Sequence, residues 1–272
     1  VRLVVAPRRR PPPRPNRPEP TRTAPNGTTV HRTEPREIRS MGNAPSLGGD
    51  RGDRSAAWPT RRTSNAAFLA IPDSSSDGPD DALRTATFGG GCYWGVEKWY
   101  AKDFNETHPG AVVATNVGFM APKDAKAKPN PSYREVCGGR TGHVEVCQVK
   151  FDATKCSYED LNAHLYTFHD PTTTNRQGND AGSQYASVIF VHDEGQRKDA
   201  ERVIARTQRA LDRGKIKTFQ RDKIVTRVED ATEYYPAESG HQRYLEKHPN
   251  GYCNHRRRFR WSDVLPGGGG KL

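Results

Sequence analysis

From His143 to Phe151 the chain alternates: His143, Glu145, Cys147, Val149 and Phe151 fall on one side, with Val144 and Val146 opposite, the two-residue period of a strand. Upstream, Ala86–Phe88 is short and apolar enough to end a strand before a run of glycines. Trp94, Val96, Trp99 and Tyr100 then fit a helix reaching about Asp103. "HPG" at 108–110 turns the chain into "AVVATNVGF", a buried strand, and "MAPKDAKAKPNPSY" follows as a proline- and lysine-rich loop. Downstream, Ser157 and Asp160 start a helix in capping-box fashion, with Leu161, Leu165 and Phe168 at helical spacing. The polar stretch "DPTTTNRQGNDAGS" leads to a strand in "QYASVIFVH". Ala200, Val203, Ile204, Thr207 and Leu211 mark an amphipathic helix stopping at Gly214, and "KIVTRV" is a last strand. The order β-α-β-β-α-β-α-β contains the β-α-β-β-α-β unit of ferredoxin-like α+β folds. After Val228 no regular period remains, which predicts a long irregular C-terminal tail.

Composition changes this picture at the ends. Only 33% of the 272 residues are hydrophobic and the mean hydropathy is -0.92, low for a globular chain. The deficit is local. Residues 1–84 hold 13 of the 21 prolines, and 15 arginines against nine acidic residues, with no lysine. Such a segment buries too little apolar surface to offset its ordering entropy, so 1–84 is predicted to be a disordered extension. The folded domain is expected over 85–255, with a basic, glycine-rich tail over 256–272 that carries Arg256, Arg257, Arg258, Arg260 and Lys271. The net charge of +11 therefore sits mainly at the two ends, where it reads as solubilising or targeting charge. A nucleic-acid-binding domain carries its charge on the folded surface, so no nucleic-acid partner is expected. No apolar run approaches the ~18–20 residues of a membrane-spanning helix, and nothing resembles a secretory signal. Translation from Met41 would open on "MGNAPS", which fits a loose myristoylation pattern, or give an arginine- and serine-containing leader of organellar type. The expected location is cytoplasmic, or organellar if the extension is a transit peptide.

Five cysteines, Cys92, Cys137, Cys147, Cys156 and Cys253, make an odd count without a secretory context, against a disulfide framework. None pairs as C-x-x-C, and no histidine pair has metal-ligand spacing beside them, so no metal site is expected. Buried structural thiols and redox-active thiols remain. In "FGGGCYWG" a strand, a glycine turn and a helix start place Cys92 at a helix N-terminus, where free amides and the helix dipole lower a thiol pKa. The other reading of Cys92 is a small buried hydrophobe. Glu145 shares the face of Cys147 and Val149. A carboxyl facing a core stays protonated and acts as a proton donor, whereas at a sheet edge it is an ordinary solvated glutamate. "HDPTTTNRQGNDAGSQY" suits a hydrogen-bonding rim or an ordinary long loop. Cys253, in the irregular tail, has the mobility a second, resolving thiol requires, or is an incidental exposed thiol.

Together "FGGGCYWG", "NPSYREVCGGRTGHVEV", "HDPTTTNRQGNDAGSQY" and "NGYC", in this order between about Thr87 and His255, resemble the type A peptide methionine sulfoxide reductases, which act on the S epimer. The resemblance implies a ferredoxin-like, mixed-sheet α/β sandwich. It implies that Cys92 attacks the sulfoxide sulfur and that Tyr93 and Trp94 receive the substrate methyl, Tyr93 standing where phenylalanine is commoner and adding a hydroxyl at the pocket rim. Glu145 would protonate the sulfoxide oxygen, Tyr133 and Tyr185 would hydrogen-bond it, and Asp180 would hold this polar network. Collapse leaves a sulfenic acid on Cys92, which Cys253 condenses to a disulfide; Cys137 is a secondary candidate for resolution, and Cys147 and Cys156 are structural. "NHRRRFRW" after Cys253 lacks the further relay cysteine of many members, so the Cys92–Cys253 disulfide would meet thioredoxin directly. No bound cofactor is implied; thioredoxin, or dithiothreitol in vitro, is the reductant, methionine S-sulfoxide, free or in proteins, the substrate, and a monomer the expected state. Two other classes fit parts of the pattern. A thiol peroxidase would not need the Tyr133, Glu145 and Tyr185 donors. An RNA-binding module of ferredoxin-like type lacks here its glycine-aromatic strand and a basic body.

Overall fold

The computed structural model describes residues 82–264. The extension expected to be disordered therefore lies outside the described residues up to Asp81, as does the tail from 265 onward. Strand β1 (Leu83–Gly90) runs through two of the three glycines before Cys92. Helix α1 (Tyr93–Lys98) begins directly after the cysteine and continues as a π-helical turn over Trp99–Phe104 and a last turn over Asn105–Thr107. Strand β2 (Val112–Met120), the short helix α2 (Tyr133–Cys137), strand β3 (Val144–Asp152) and helix α3 (Tyr158–Phe168) follow. A two-stranded hairpin, β4 (Arg176–Gln177) and β5 (Asp180–Ala181), occupies the polar stretch. Strand β6 (Ser187–Val191), helix α4 (Glu194–Asp212) and strand β7 (Arg227–Asp230) complete the alternation.

The main sheet has the order β7-β6-β1-β3-β2-β8, where β8 is Tyr234–Pro236. All its pairs are antiparallel except β6 with β7, which the crossover helix α4 joins in parallel, so the sheet is mixed. Alternation along the central strands gives each face its own core. Phe88, Val117, Cys147, Val149, Phe151 and Ile189 pack with α1 and α3, and Val144, Val146, Val188 and Phe190 cluster on the opposite face. Ser157 caps α3 through the Asp160 amide, with Asp160 reaching back to the Ser157 amide, the predicted capping box. Asp193 caps α4 through the Gln196 amide at 2.7 Å, and Gly214, at φ +67, ends it.

Three expectations change. The last strand starts later than "KIVTRV", because the Ile224 amide donates to Gln208 of α4 and the Val225 amide to the Pro171 carbonyl, which draws both out of the sheet. The loop before β3 contains α2, started by a second capping box of Ser132 and Glu135. The C-terminal segment is more ordered than its sequence period implies. It adds β8 to the sheet edge, then the Gln242 side chain pairs with both the amide and carbonyl of Val117 at 2.8 and 2.7 Å. Helices α5 (Tyr244–Lys247) and α6 (Trp261–Val264) follow.

The boundary expected at His255 also falls inside packed structure. Trp261 and Val264 bury against Ala163, Tyr166, Val203 and Ala210 between α3 and α4. Of the arginines assigned to a free basic tail, Arg257 lies 4.6 Å over the Trp99 ring. Arg258 pairs with Asp170 at 3.4 Å, the two side chains 5% and 0% exposed. Its guanidinium also donates to the Thr218 carbonyl at 2.8 Å. Removing one partner of a buried ion pair strands the other charge. Arg258→Ala is therefore expected to destabilise the domain by roughly 3–5 kcal/mol in urea unfolding, with Arg258→Lys recovering only part, since an ammonium cannot reproduce the fork.

Candidate active site

The turn from β1 into α1 places Cys92 at the helix N-cap, 8% exposed. Of the flanking glycines only Gly91, at φ +96, needs a left-handed backbone. Close packing accounts for Gly95 and adds to the demand on Gly91. A Cβ on Gly95 would lie 2.0 Å from the His255 ring, and one on Gly91 would lie 2.5 Å from the Gln177 side chain. The Trp94 amide favours the thiolate, as a helix start predicts, although the Cys92 side chain makes no capping hydrogen bond. The expected fall in pKa does not follow. Burial pushes the thiol well above its ordinary value, the Glu145 carboxylate adds to the rise, and one amide does not offset them.

Glu145 lies on β3, 2% exposed, with its Oε2 accepting the Tyr93 amide at 3.1 Å. Burial pushes its pKa up to about 8, and the Asp180 charge adds to this. At neutral pH the carboxyl is protonated, as its core-facing register implies, and it can deliver a proton at a position covered from water. Tyr185 closes the 3₁₀ turn Ser183–Tyr185, and its phenol is kept protonated by burial and by the charges of Glu145, Cys137, Asp180 and Cys92. Tyr133, on α2, has its phenol pushed up by burial and by the neighbouring Cys137 thiol, and its ring lies 4.2 Å from that of His241. Glu145, Tyr133, Tyr185 and Cys137 are thus electrostatic neighbours of one another beside the Cys92 turn.

Tyr93 and Trp94 divide differently from expectation. Tyr93 is 1% exposed, tilted against Phe119 at 5.9 Å, and its hydroxyl is buried without a hydrogen-bond partner among the described residues, not at a rim. Trp94 is half-buried, stacked on Tyr244 at 3.8 Å, and donates from Nε1 to His241 Nδ1 at 3.2 Å. Its indole face, held by two further rings, is the more accessible apolar surface beside the sulfur.

Asp180 serves the tail. Its Oδ1 accepts from the Tyr252 hydroxyl at 2.9 Å and its Oδ2 from the Asn254 amide at 2.7 Å, so the residues on either side of Cys253 are both tied to β5. Asn254 also donates to the Gln177 carbonyl at 2.6 Å. Cys253 is partly exposed and free, and a charge on it raises the Cys92 pKa, so the two sulfurs are electrostatic neighbours. Cys147 and Cys156 are buried, 0% and 6% exposed, with thiols pushed up by burial. His241, Tyr244 and His255 were not singled out from sequence. Their only signal there is the density of rings in "HQRYLEKH" and of histidine beside the tail cysteine.

A family model described as peptide methionine sulfoxide reductase matches residues 84–265, close to the limits of the packed structure. A peptide methionine sulfoxide reductase MsrA of Methanothermobacter thermautotrophicus is 45% identical over 168 residues, covering 62% of this chain and 89% of its own length. Another, from Salinispora arenicola, is 42% identical over 177 residues, covering 64% and 74%. Among solved structures, the reduced form of Mxr1 from Saccharomyces cerevisiae matches with a TM-score of 0.58 at 32% identity, covering 70% of this chain and 99% of that one. Methionine sulfoxide reductase A of Corynebacterium diphtheriae matches with a TM-score of 0.53 at 37% identity, covering 65% and 79%.

Two side chains here are costly to the fold in measurable ways. Folded Glu145 titrates near 8, and an unfolded glutamate near ~4.3, so the native state holds the extra proton between those values. Relative to Glu145→Gln, wild type should keep its full stability below about pH 4 and lose up to ~1.4 kcal/mol per pH unit up to about 8. Urea unfolding of both proteins across that range checks this. Tyr93→Phe removes an unpaired buried hydroxyl and is expected to raise stability by about 1 kcal/mol in the same measurement.

Proposed function

The chain belongs to the peptide methionine sulfoxide reductase family, and on that premise we propose that Cys92 attacks the sulfur of methionine S-sulfoxide while Glu145 protonates its oxygen. The observation that carries this reading is the Glu145 carboxyl buried against the Tyr93 amide, one residue after Cys92, where burial raises its pKa to about 8 and favours the protonated form at neutral pH. A sulfoxide oxygen leaves poorly until protonated, so a neutral donor in a water-excluded site is what the step requires. Tyr133 and Tyr185 donate hydrogen bonds to the same oxygen as charge develops there. Trp94 supplies the apolar surface for the substrate methyl, with Tyr93 packed behind it. The hydrogen that leaves the Cys92 sulfur balances the one that arrives on oxygen. Methionine departs, Cys92 becomes a sulfenic acid, and Glu145 ends as it began.

Cys253 then condenses with the sulfenic acid to form a disulfide and water. Asp180 acts in this reading by tying Tyr252 and Asn254, and Cys137, beside Tyr133, is a secondary resolving thiol. Thioredoxin, or dithiothreitol in vitro, reduces the disulfide. The partial exposure of Cys253 and the 47% exposure of Tyr252 support access by a protein dithiol from this side. We read the fold as ferredoxin-like on the order β6-β1-β3-β2 of its central antiparallel strands. The enzyme is proposed to act as a monomer without a bound cofactor, in the cytoplasm or in an organelle if residues 1–84 direct it there.

A thioredoxin-coupled assay on the two sulfoxide epimers tests this. Turnover is expected for the S epimer and not the R epimer, and Cys92→Ser should abolish it. Cys253→Ser should release one methionine per enzyme and stall with thioredoxin. Glu145→Gln should slow that first release on the order of 10²-fold. Turnover surviving in Cys92→Ser, or equal rates on the two epimers, would sink the reading.

A further inference from the structure

His255 lies two residues beyond Cys253 and packs into the space left by Gly95. Its Nε2 is 2.7 Å from the Gly90 carbonyl oxygen, at the end of the strand that leads to Cys92. A carbonyl can only accept, so that nitrogen carries the hydrogen. The ring is buried, 8% exposed, with the edge of Phe168 5.6 Å away and His169 beyond it. Burial, with the cations Arg258 and Lys98 facing the ring, holds its pKa down to about 4, so it is neutral at physiological pH. Nδ1 is then left with a lone pair. Nδ1 lies 4.0 Å from the Cys253 sulfur, which is equally far from the His255 backbone carbonyl oxygen, so the thiol has the ring nitrogen and that carbonyl as its two acceptors within reach.

The sulfur is held in place from both sides. Tyr252 and Asn254 bond Asp180, Asn254 bonds the Gln177 carbonyl, and beyond His255 the Arg256 amide donates to the Phe168 carbonyl at 3.3 Å. A base of fixed tautomer, the thiol it faces and the strand end that leads to Cys92 are thus joined in one hydrogen-bonded unit.

We propose that His255 is the general base of disulfide formation, its Nδ1 removing the thiol proton of Cys253 as that sulfur attacks the sulfenic acid of Cys92. The inference rests on the reductase reading above. The Cys253 sulfur supplies the electron pair of the new S–S bond, and the S–O bond of Cys92 breaks with its pair on oxygen. The hydroxyl leaves as water on taking a proton from Glu145. His255 gives up the thiol proton, which restores Glu145 through solvent. One proton leaves a thiol and one enters water, and no further oxidant or reductant is consumed.

Histidine-to-glutamine separates anchoring from basicity, because the glutamine amide can still donate to the Gly90 carbonyl but cannot accept a proton. Enzyme is mixed with one equivalent of methionine S-sulfoxide without reductant, and three signals are followed: methionine released, dimedone-reactive sulfenic acid, and loss of free thiols. His255→Gln should still release one methionine per enzyme, while its sulfenic acid persists and disulfide formation at pH 7 slows about 10²-fold. Wild-type disulfide formation should be nearly flat from about pH 5 to 8, whereas the variant, which has no base at this position, should accelerate steadily as the pH is raised. If His255→Gln loses the release step, His255→Ala with and without added imidazole gives the same comparison, with rescue of disulfide formation expected. A wild-type rate and pH profile in the variant overturns the proposal, as does a slowed rate with an unchanged profile or no imidazole rescue. Failure of wild type to release methionine would instead overturn the reductase reading, which the first signal reports separately.

Discussion

Removing the Glu145 carboxyl from water is the constraint on which the site depends. Its register on β3 puts it on the same face as Cys147 and Val149, so the hydrophobic packing that fixes the strand also fixes the carboxyl. In that place the neutral form is favoured, since the Tyr93 amide offsets only part of what burial costs the anion. The magnitudes decide what Cys92 becomes. A helix N-terminus contributes ~0.3–1 kcal/mol to an anion, less than one pKa unit, whereas full burial shifts a group by up to 3–5 units. Burial wins, and the resting cysteine is a thiol. Glu145 and Cys92 are also coupled, since charge on either raises the pKa of the other's acid form. The site therefore disfavours holding two negative charges, and a substrate oxygen that takes the Glu145 proton is compensated by the thiol's own.

The glycines around Cys92 follow from a second constraint, the close approach of the C-terminal segment. Only Gly91 is asked for a backbone geometry other residues avoid. Gly95 and Gly91 leave room for His255 and Gln177, which bring the tail and the β4–β5 hairpin onto the Cys92 turn. Asp170 extends the same arrangement, since it receives the Arg258 guanidinium while the Gln177 side chain bonds the Asp170 amide. One hydrogen-bonded strip therefore runs from the strand end before Cys92, through the hairpin, to the irregular segment that carries Cys253.

Much of this was legible in the sequence, and the exceptions have a common cause. The central strands, α3, α4 and the inward face of Glu145 follow from periods of two and 3.6 residues, which local backbone geometry dictates. The capping box of Ser132 and Glu135 was present in "PSYREV" but masked by the prolines around it. The rise of the Cys92 pKa is not legible in the sequence, because a helix start is a local feature, whereas burial of the sulfur depends on tertiary packing. Arg257 and Arg258 read as solvated charge for the same reason: their partners, Trp99 and Asp170, are more than 80 residues away in the chain. His241 and His255 have no period at all, and only tertiary packing gives them a role.

The tail joins the domain in two different ways, and the difference bears on recycling. From Arg258 to Val264 it is held by a buried ion pair and by apolar contacts, which open only at large cost. Around Cys253 it is held by side-chain hydrogen bonds of Tyr252 and Asn254 at a partly exposed site, each worth about 0.5–1.5 kcal/mol. A disulfide between Cys92 and Cys253 requires the tail to close on the turn, and reduction by another protein requires it to be presented outward. A segment fixed at one end and lightly latched at the other can do both without disturbing Glu145, which is anchored in the sheet. The two halves of the proposed cycle would in this way be mechanically separate, the first resting on β3 and the second on the tail, with His255 at the joint between them.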